Sequence, residues 1–151
     1  KAYAPGYQID RLPQTATPVD LQFANGLHLA GFEADSVASA TDEFFHPPSG
    51  WVHLTLYWWA SRPLGGEVKP FAHLVGPEGV WGVNLERAGD ALQLYPPAQW
   101  PVDPTEPRLI RHDLDINLNP ATPPGVYDLV MGVAGQETQH TLRQVEIRSD
   151  R

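Results

Sequence analysis

Ten consecutive residues, Trp51-Val52-His53-Leu54-Thr55-Leu56-Tyr57-Trp58-Trp59-Ala60, contain no glycine, no proline and no full charge. Nothing in such a run bends or ends an element. Read with the period of two that a pleated strand imposes, Val52, Leu54, Leu56, Trp58 and Ala60 fall on one face, and Trp51, His53, Thr55, Tyr57 and Trp59 on the other. The first face is core. The second sets large aromatic bodies with polar tips side by side, which suits either a second buried layer or a wet surface that holds a flat, hydroxyl-rich ligand. What covers that face decides between the two.

The remainder of the chain is cut into short pieces by 16 prolines and 13 glycines among 151 residues, a punctuation that favours strands over helices. Residues 1–18, with Pro5, Gly6, Pro13 and Pro18 and no apolar periodicity, read as an extended lead-in or linker. Residues 19–151 read as a single domain, long enough for a continuous core. Val19 to Ala24 and Leu27 to Glu33 alternate on either side of Asn25-Gly26, a pair that tolerates the positive φ of a type I′ turn, so a hairpin is expected. Ala34 to Gly50 reads as a loop with a helical turn available near Ser39 to Phe45. A second hairpin joins Val68–Val75 to Val80–Leu85 across Gly76-Pro77-Glu78-Gly79.

Glu86 to Pro107 is proline-rich and irregular, the kind of long loop that packs as a lid or carries function. Leu109 to Leu118 then alternates, with Ile110, Leu114, Ile116 and Leu118 inward. Val126 to Val133 follows the turn at Pro123-Pro124-Gly125, and Thr138 to Ile147 pairs behind Gly135-Gln136. These segments give about eight strands, the pattern of an all-β protein built as an antiparallel β-sandwich of immunoglobulin-like or jelly-roll type.

Charge and composition remove several function classes. Eighteen acidic against ten basic residues give a net charge of -8, which repels nucleic acid phosphates and anionic membrane surfaces. The absence of cysteine excludes disulfides, cysteine-rich zinc sites and a thiol nucleophile. No apolar run approaches the ~20 residues of a membrane-crossing helix.

Several segments, taken in order, resemble one family. Ala2-Tyr3-Ala4-Pro5, Asn25-Gly26-Leu27-His28-Leu29-Ala30-Gly31-Phe32, Leu54-Thr55-Leu56-Tyr57-Trp58, Phe71-Ala72-His73-Leu74 with Gly76-Pro77-Glu78-Gly79, and Pro123-Pro124-Gly125-Val126-Tyr127-Asp128-Leu129-Val130-Met131-Gly132 are similar to the soluble C-terminal β-sandwich domain of bacterial membrane glycosyltransferases of the dolichyl-phosphate-mannose-protein mannosyltransferase type. The resemblance implies an extracytoplasmic accessory domain, tethered to the cell membrane through an upstream membrane domain of the same chain that holds the catalysis. It supplies no catalytic residues. The chain departs from the family pattern at Ala88 to Pro107, where a shorter acidic-glycine loop is usual.

The candidate ligand-binding residues are Trp51, His53, Tyr57 and Trp59 on the outer face of the aromatic strand, with Trp81 and Trp100 extending the platform or burying it. Aromatic faces stack on the C–H surface of pyranose rings while His and Thr exchange hydrogen bonds with hydroxyls. Asp113 and Asp115 share a strand face, a spacing open to calcium or to an acid/base pair, but Arg111 on the same face favours a solvated, charge-balanced surface. His28, His46, His53, His73, His112 and His140 are scattered without HxH or HExxH spacing, so no metal and no cofactor is expected. No GxSxG, P-loop or GxGxxG is present, and the fragment is read as non-catalytic. The expectation is an accessory domain that holds a glycan or a polypeptide acceptor and takes no nucleic acid. The alternative is a structural spacer or protein-interaction module without a small-molecule ligand.

Overall fold

The computed structural model describes residues 8–40, 50–65, 68–84, 92, 95–102 and 108–148. Its elements are β1 (Gln8–Ile9), β2 (Thr17–Gln22), β3 (Leu27–Ala34), β4 (Val37–Ser39), β5 (Trp51–Ala60), β6 (Pro70–Gly76), β7 (Gly79–Asn84), β8 (Leu109–Leu118), β9 (Gly125–Val133) and β10 (Gln139–Arg148), with short 3₁₀ turns at Ala24–Gly26 and Pro97–Gln99. The all-β expectation holds, with ten strands in place of about eight. Two were missed. β1 lies within the stretch read as a lead-in and pairs with β8 through Gln8↔Ile110 and Ile9↔Leu109. β4 lies within the stretch read as a loop and runs parallel to β10, from Glu146↔Val37 to Arg148↔Ser39. The helical turn expected near Ser39 to Phe45 falls almost wholly outside the described residues.

Two compact units divide the chain, and both β5 and β8 contribute to each. The first draws on Lys1–Glu33, Thr55–Lys69 and Glu86–Asp113. Its strands follow the hydrogen-bonded order β2-β3-β5-β8, with β1 on β8. The β2–β3 hairpin forms as expected, with Asn25 at φ 67° and Gly26 at φ 89°. Leu27 N–H closes the turn on the Ala24 carbonyl, while Phe23 N–H reaches the Leu27 carbonyl at 2.8 Å. Gly26 is required twice over. A Cβ there would sit 2.5 Å from Arg62 Cγ, on a backbone that L side chains rarely adopt.

The core of this unit gathers Leu27, Leu29 and Phe32 from β3, Leu56, Trp58 and Ala60 from β5, and Ile110 and His112 from β8. Trp58 meets Phe23 edge to face at 5.6 Å and donates its indole N–H to His112 Nδ1 at 3.3 Å. An indole nitrogen only donates, so His112 Nδ1 accepts, and the buried pair satisfies one donor with one acceptor.

The second unit draws on Ala34–Leu54, Pro70–Leu85 and Leu114–Arg151. Its strands join edge to edge in one succession, β5-β8-β7-β6-β9-β10-β4, in a curled sheet. Apart from β4 on β10, its described pairings are antiparallel. The expected β6–β7 hairpin is present and turns between the paired residues Gly76 and Gly79. Val52, Leu54, Ala72, Leu74, Ile116, Leu118, Leu129, Met131, Val145 and Ile147 are buried together on the alternating positions that the sequence marks as apolar.

Tyr127 anchors the start of β9. Its ring fills the space a side chain on Gly76 would need, 2.7 Å from the position of that Cβ, and its hydroxyl donates to the Pro123 carbonyl at 2.6 Å. A tyrosine that bonds back a few residues across a corner is a feature of Greek-key β proteins, where it fixes the entry of the strand. Tyr127→Phe should therefore cost about 1 kcal/mol of stability, read as a lower urea midpoint at unchanged slope. An unaltered midpoint would contradict the anchoring role.

Candidate functional site

The outer face of β5 was the candidate surface, and its residues have separate fates. In the first unit, Tyr57 is 1% exposed despite lying on the face opposite Leu56 and Trp58. Its hydroxyl donates to Glu33 Oε2 at 2.6 Å, and the Thr15 hydroxyl donates to Glu33 Oε1. Both carboxylate oxygens are thus held by hydroxyl groups, one of them from the stretch read as a linker. Burial first, and then the Glu33 carboxylate, push the Tyr57 phenol far above its ordinary value. The hydrogen bonds from Thr15 and Tyr57 hold Glu33 below its own. The phenol stays protonated and the carboxylate stays charged, which is what the bond between them requires.

Next along β5, Thr55 donates to Asp113 Oδ1 at 2.6 Å, and Arg111 Nε reaches Asp113 Oδ2 at 3.2 Å. Asp113 is the balanced, solvated carboxylate that the alternation suggested. In the second unit, His53 is exposed and its Nδ1 lies 2.5 Å from Asp115 Oδ1. Its backbone N–H donates to Asp35 Oδ2 at 2.9 Å, and Asp35 N–H returns a bond to the His53 carbonyl at 3.1 Å. Asp113 and Asp115 are therefore engaged by different partners instead of converging as a pair. Among the described residues, no group of three or more His, Asp or Glu side chains is placed to hold a metal ion.

Among the described residues of the first unit, Trp59 is the Phe, Tyr or Trp side chain that stays half exposed. Its ring stacks on His28 with centroids 3.9 Å apart and planes 13° from parallel. His28 Nε2 lies 3.0 Å from Ser61 Oγ, and the Ser61 hydroxyl also reaches the Gly26 carbonyl at 3.4 Å. One proton arrangement serves both contacts: His28 Nε2–H donates to Ser61, and the Ser61 hydrogen goes to Gly26. His28 Nδ1 is buried and has no partner. Ser61 and Arg62 both crowd the space where a side chain on Gly26 would stand, which places the turn, the serine and the arginine beside the stacked pair.

The remaining candidates are Trp100 in the first unit and Trp81 and Trp51 in the second. Trp100 is 5% exposed, and its indole N–H donates to the Tyr95 carbonyl at 2.9 Å. It holds its own proline-rich segment together, so of the two roles open to it, extending a platform or burying one, its burial fits the second. Trp81, half buried in the second unit, points an edge at the Gly76 gap that Tyr127 fills, on the core side of β6. Trp51, also in the second unit, is half buried and has a partner. Sequence reasoning missed Thr15, Glu33, Asp35 and the stacking role of His28. His28 and Glu33 meet Trp59 and Tyr57 on the same face although an odd number of positions separates them, so simple alternation along β3 could not have found both.

Compared with known proteins, the chain matches no family model, no curated protein and no solved structure.

The Glu33 clamp makes the fold acid-sensitive in a defined direction. The folded carboxyl lies below its ordinary value of 4.5, so on acidification the unfolded chain takes up the proton first. Its contribution is complete above that value and is lost as pH falls through the folded one. Urea midpoints measured from pH 7 down to pH 3 should decline less steeply for Glu33→Gln than for the parent chain. Parallel acid limbs would show that the clamp contributes nothing.

Proposed function

We propose that the chain is a non-catalytic accessory module of a membrane glycosyltransferase, working on the extracytoplasmic side, and that it holds a saccharide or a polypeptide acceptor at the Trp59 corner. The family part of this reading rests on the ordered segments quoted above. The recognition part rests on one observation: Trp59 keeps exposed indole surface on the outer face of β5, braced by His28, while Tyr57 two positions away is sealed by Glu33. A braced aromatic side chain loses little freedom on meeting a ligand, which favours binding. In this reading an upstream portion of the same chain carries the membrane attachment; no described helix is long and apolar enough to cross a membrane.

A spacer or protein-interaction module without a small-molecule ligand is the second reading. It is favoured by the burial of Tyr57 and Trp100, which removes two of the six aromatic and histidine positions from any platform. A glycan array and a peptide array, followed by calorimetry on whatever binds, separate the two. Trp59→Ala should weaken saccharide or peptide binding about tenfold, equivalent to about 1.4 kcal/mol, whereas Trp100→Phe should leave it unchanged. Absence of any ligand on both arrays, or equal affinity in Trp59→Ala, would leave the spacer reading in its place.

A further inference from the structure

Around Trp59 the first unit assembles three kinds of chemistry within one turn of chain. The Trp59 indole is half buried and stacked on His28, and its Nε1–H has no partner among the described residues. Ser61, just past the end of β5, presents a hydroxyl held by His28 and Gly26. Arg62 lays its stem across Gly26, with Cγ 2.5 Å and Nε 3.1 Å from where a Cβ on that glycine would stand.

Arg108 lies 3.6 Å from Asp10, Arg111 3.2 Å from Asp113 and Arg148 3.2 Å from Glu146. Arg143 is engaged by the carbonyls of Gln144 and Ala34. Arg62, like Arg11, is exposed and has no carboxylate or carbonyl partner among the described residues, but Arg62 is the one that lies beside Gly26 and Ser61. In a chain of net charge -8, a guanidinium left open beside a half-exposed tryptophan is a local cation with a five-donor fork suited to a carboxylate or a phosphate.

We infer that the Trp59 corner takes an anionic saccharide, with the sugar ring against the indole, a ring hydroxyl at Ser61 and the carboxylate or phosphate on Arg62. This rests on the recognition reading above and narrows it to a ligand class. Neutral sugars would have the ring contact and the hydroxyl but not the charge-assisted bonds, which are roughly twice as strong as neutral ones. The negative field of the rest of the chain then acts as a filter, because only an anion that reaches Arg62 is compensated.

The test is calorimetric titration of the full chain with glucose, glucuronate and glucose 6-phosphate at two ionic strengths, for the parent, Arg62→Gln and Trp59→Ala. Thermal melting serves as the folding control, since Arg62 is exposed and its replacement leaves the core untouched. At least one of the two anions should bind ten times or more tighter than glucose, and that advantage should shrink with salt and vanish in Arg62→Gln. Trp59→Ala should weaken binding of every sugar. A preference for glucuronate alone assigns the carboxylate, and a preference for glucose 6-phosphate alone the phosphate. Equal affinity for all three sugars, or an anion preference that survives in Arg62→Gln, would overturn the inference while leaving recognition at Trp59 standing. No binding of any of the three would overturn it too. The recognition reading would fall with it only if the glycan and peptide arrays were also empty.

Discussion

A strand with no glycine, no proline and no charge has to be satisfied on both faces, and β5 meets that demand in two chemically different ways. Leu54, Leu56 and Trp58 enter apolar surroundings, where each contributes about 1.5–3 kcal/mol by leaving water. On the opposite face, polar tips are tied one by one to acidic groups: Tyr57 to Glu33, Thr55 to Asp113 and His53 to Asp115. The last two partners, Asp113 and Asp115, both stand on β8. Shifting β8 by one residue would turn Ile110, Leu114 and Ile116 out to solvent and break both ties to Asp113 and Asp115.

An aromatic-rich strand face is therefore not in itself a binding surface. Tyr57 shows the difference: a phenol whose hydroxyl meets a buried-side carboxylate works as a clasp between strands, and its ring is spent on packing. Trp100 does the same for a proline-rich segment by capping a carbonyl five residues back. Trp59 differs because its neighbour across the strands is another ring, which braces it without sealing it. Beside it, the Ser61 hydroxyl is held by His28 and by the Gly26 carbonyl, and the Arg62 guanidinium has no carboxylate partner among the described residues.

Much of this was legible in the sequence. Alternation and turn residues located the long strands and both hairpins, because a buried face imposes its period on the chain and Asn25-Gly26 has few other uses. β1 and β4 were not legible. At two and three residues they are too short to show a period, and what makes them strands is the edge they meet on β8 and β10. The acidic partners of β5 were hidden for a related reason. Thr15 and Glu33 lie far from Tyr57 in sequence, and the break in alternation between His28 and Glu33 cannot be read without knowing how β3 runs past β5. The inward half of β8 was readable by parity, but that His112 would accept from Trp58 follows only from the register.

β5 is an interior strand held from both faces, while β2 and β4 end the strand order and can open alone. Native-state amide hydrogen exchange tests it most directly. The account requires the amides of Leu54, Leu56 and Trp58 to exchange only through global unfolding, with the same free energy and denaturant dependence as the whole chain, and those of β4 to exchange by small local openings. Amides in β5 that exchange as readily as those in β4 would contradict it.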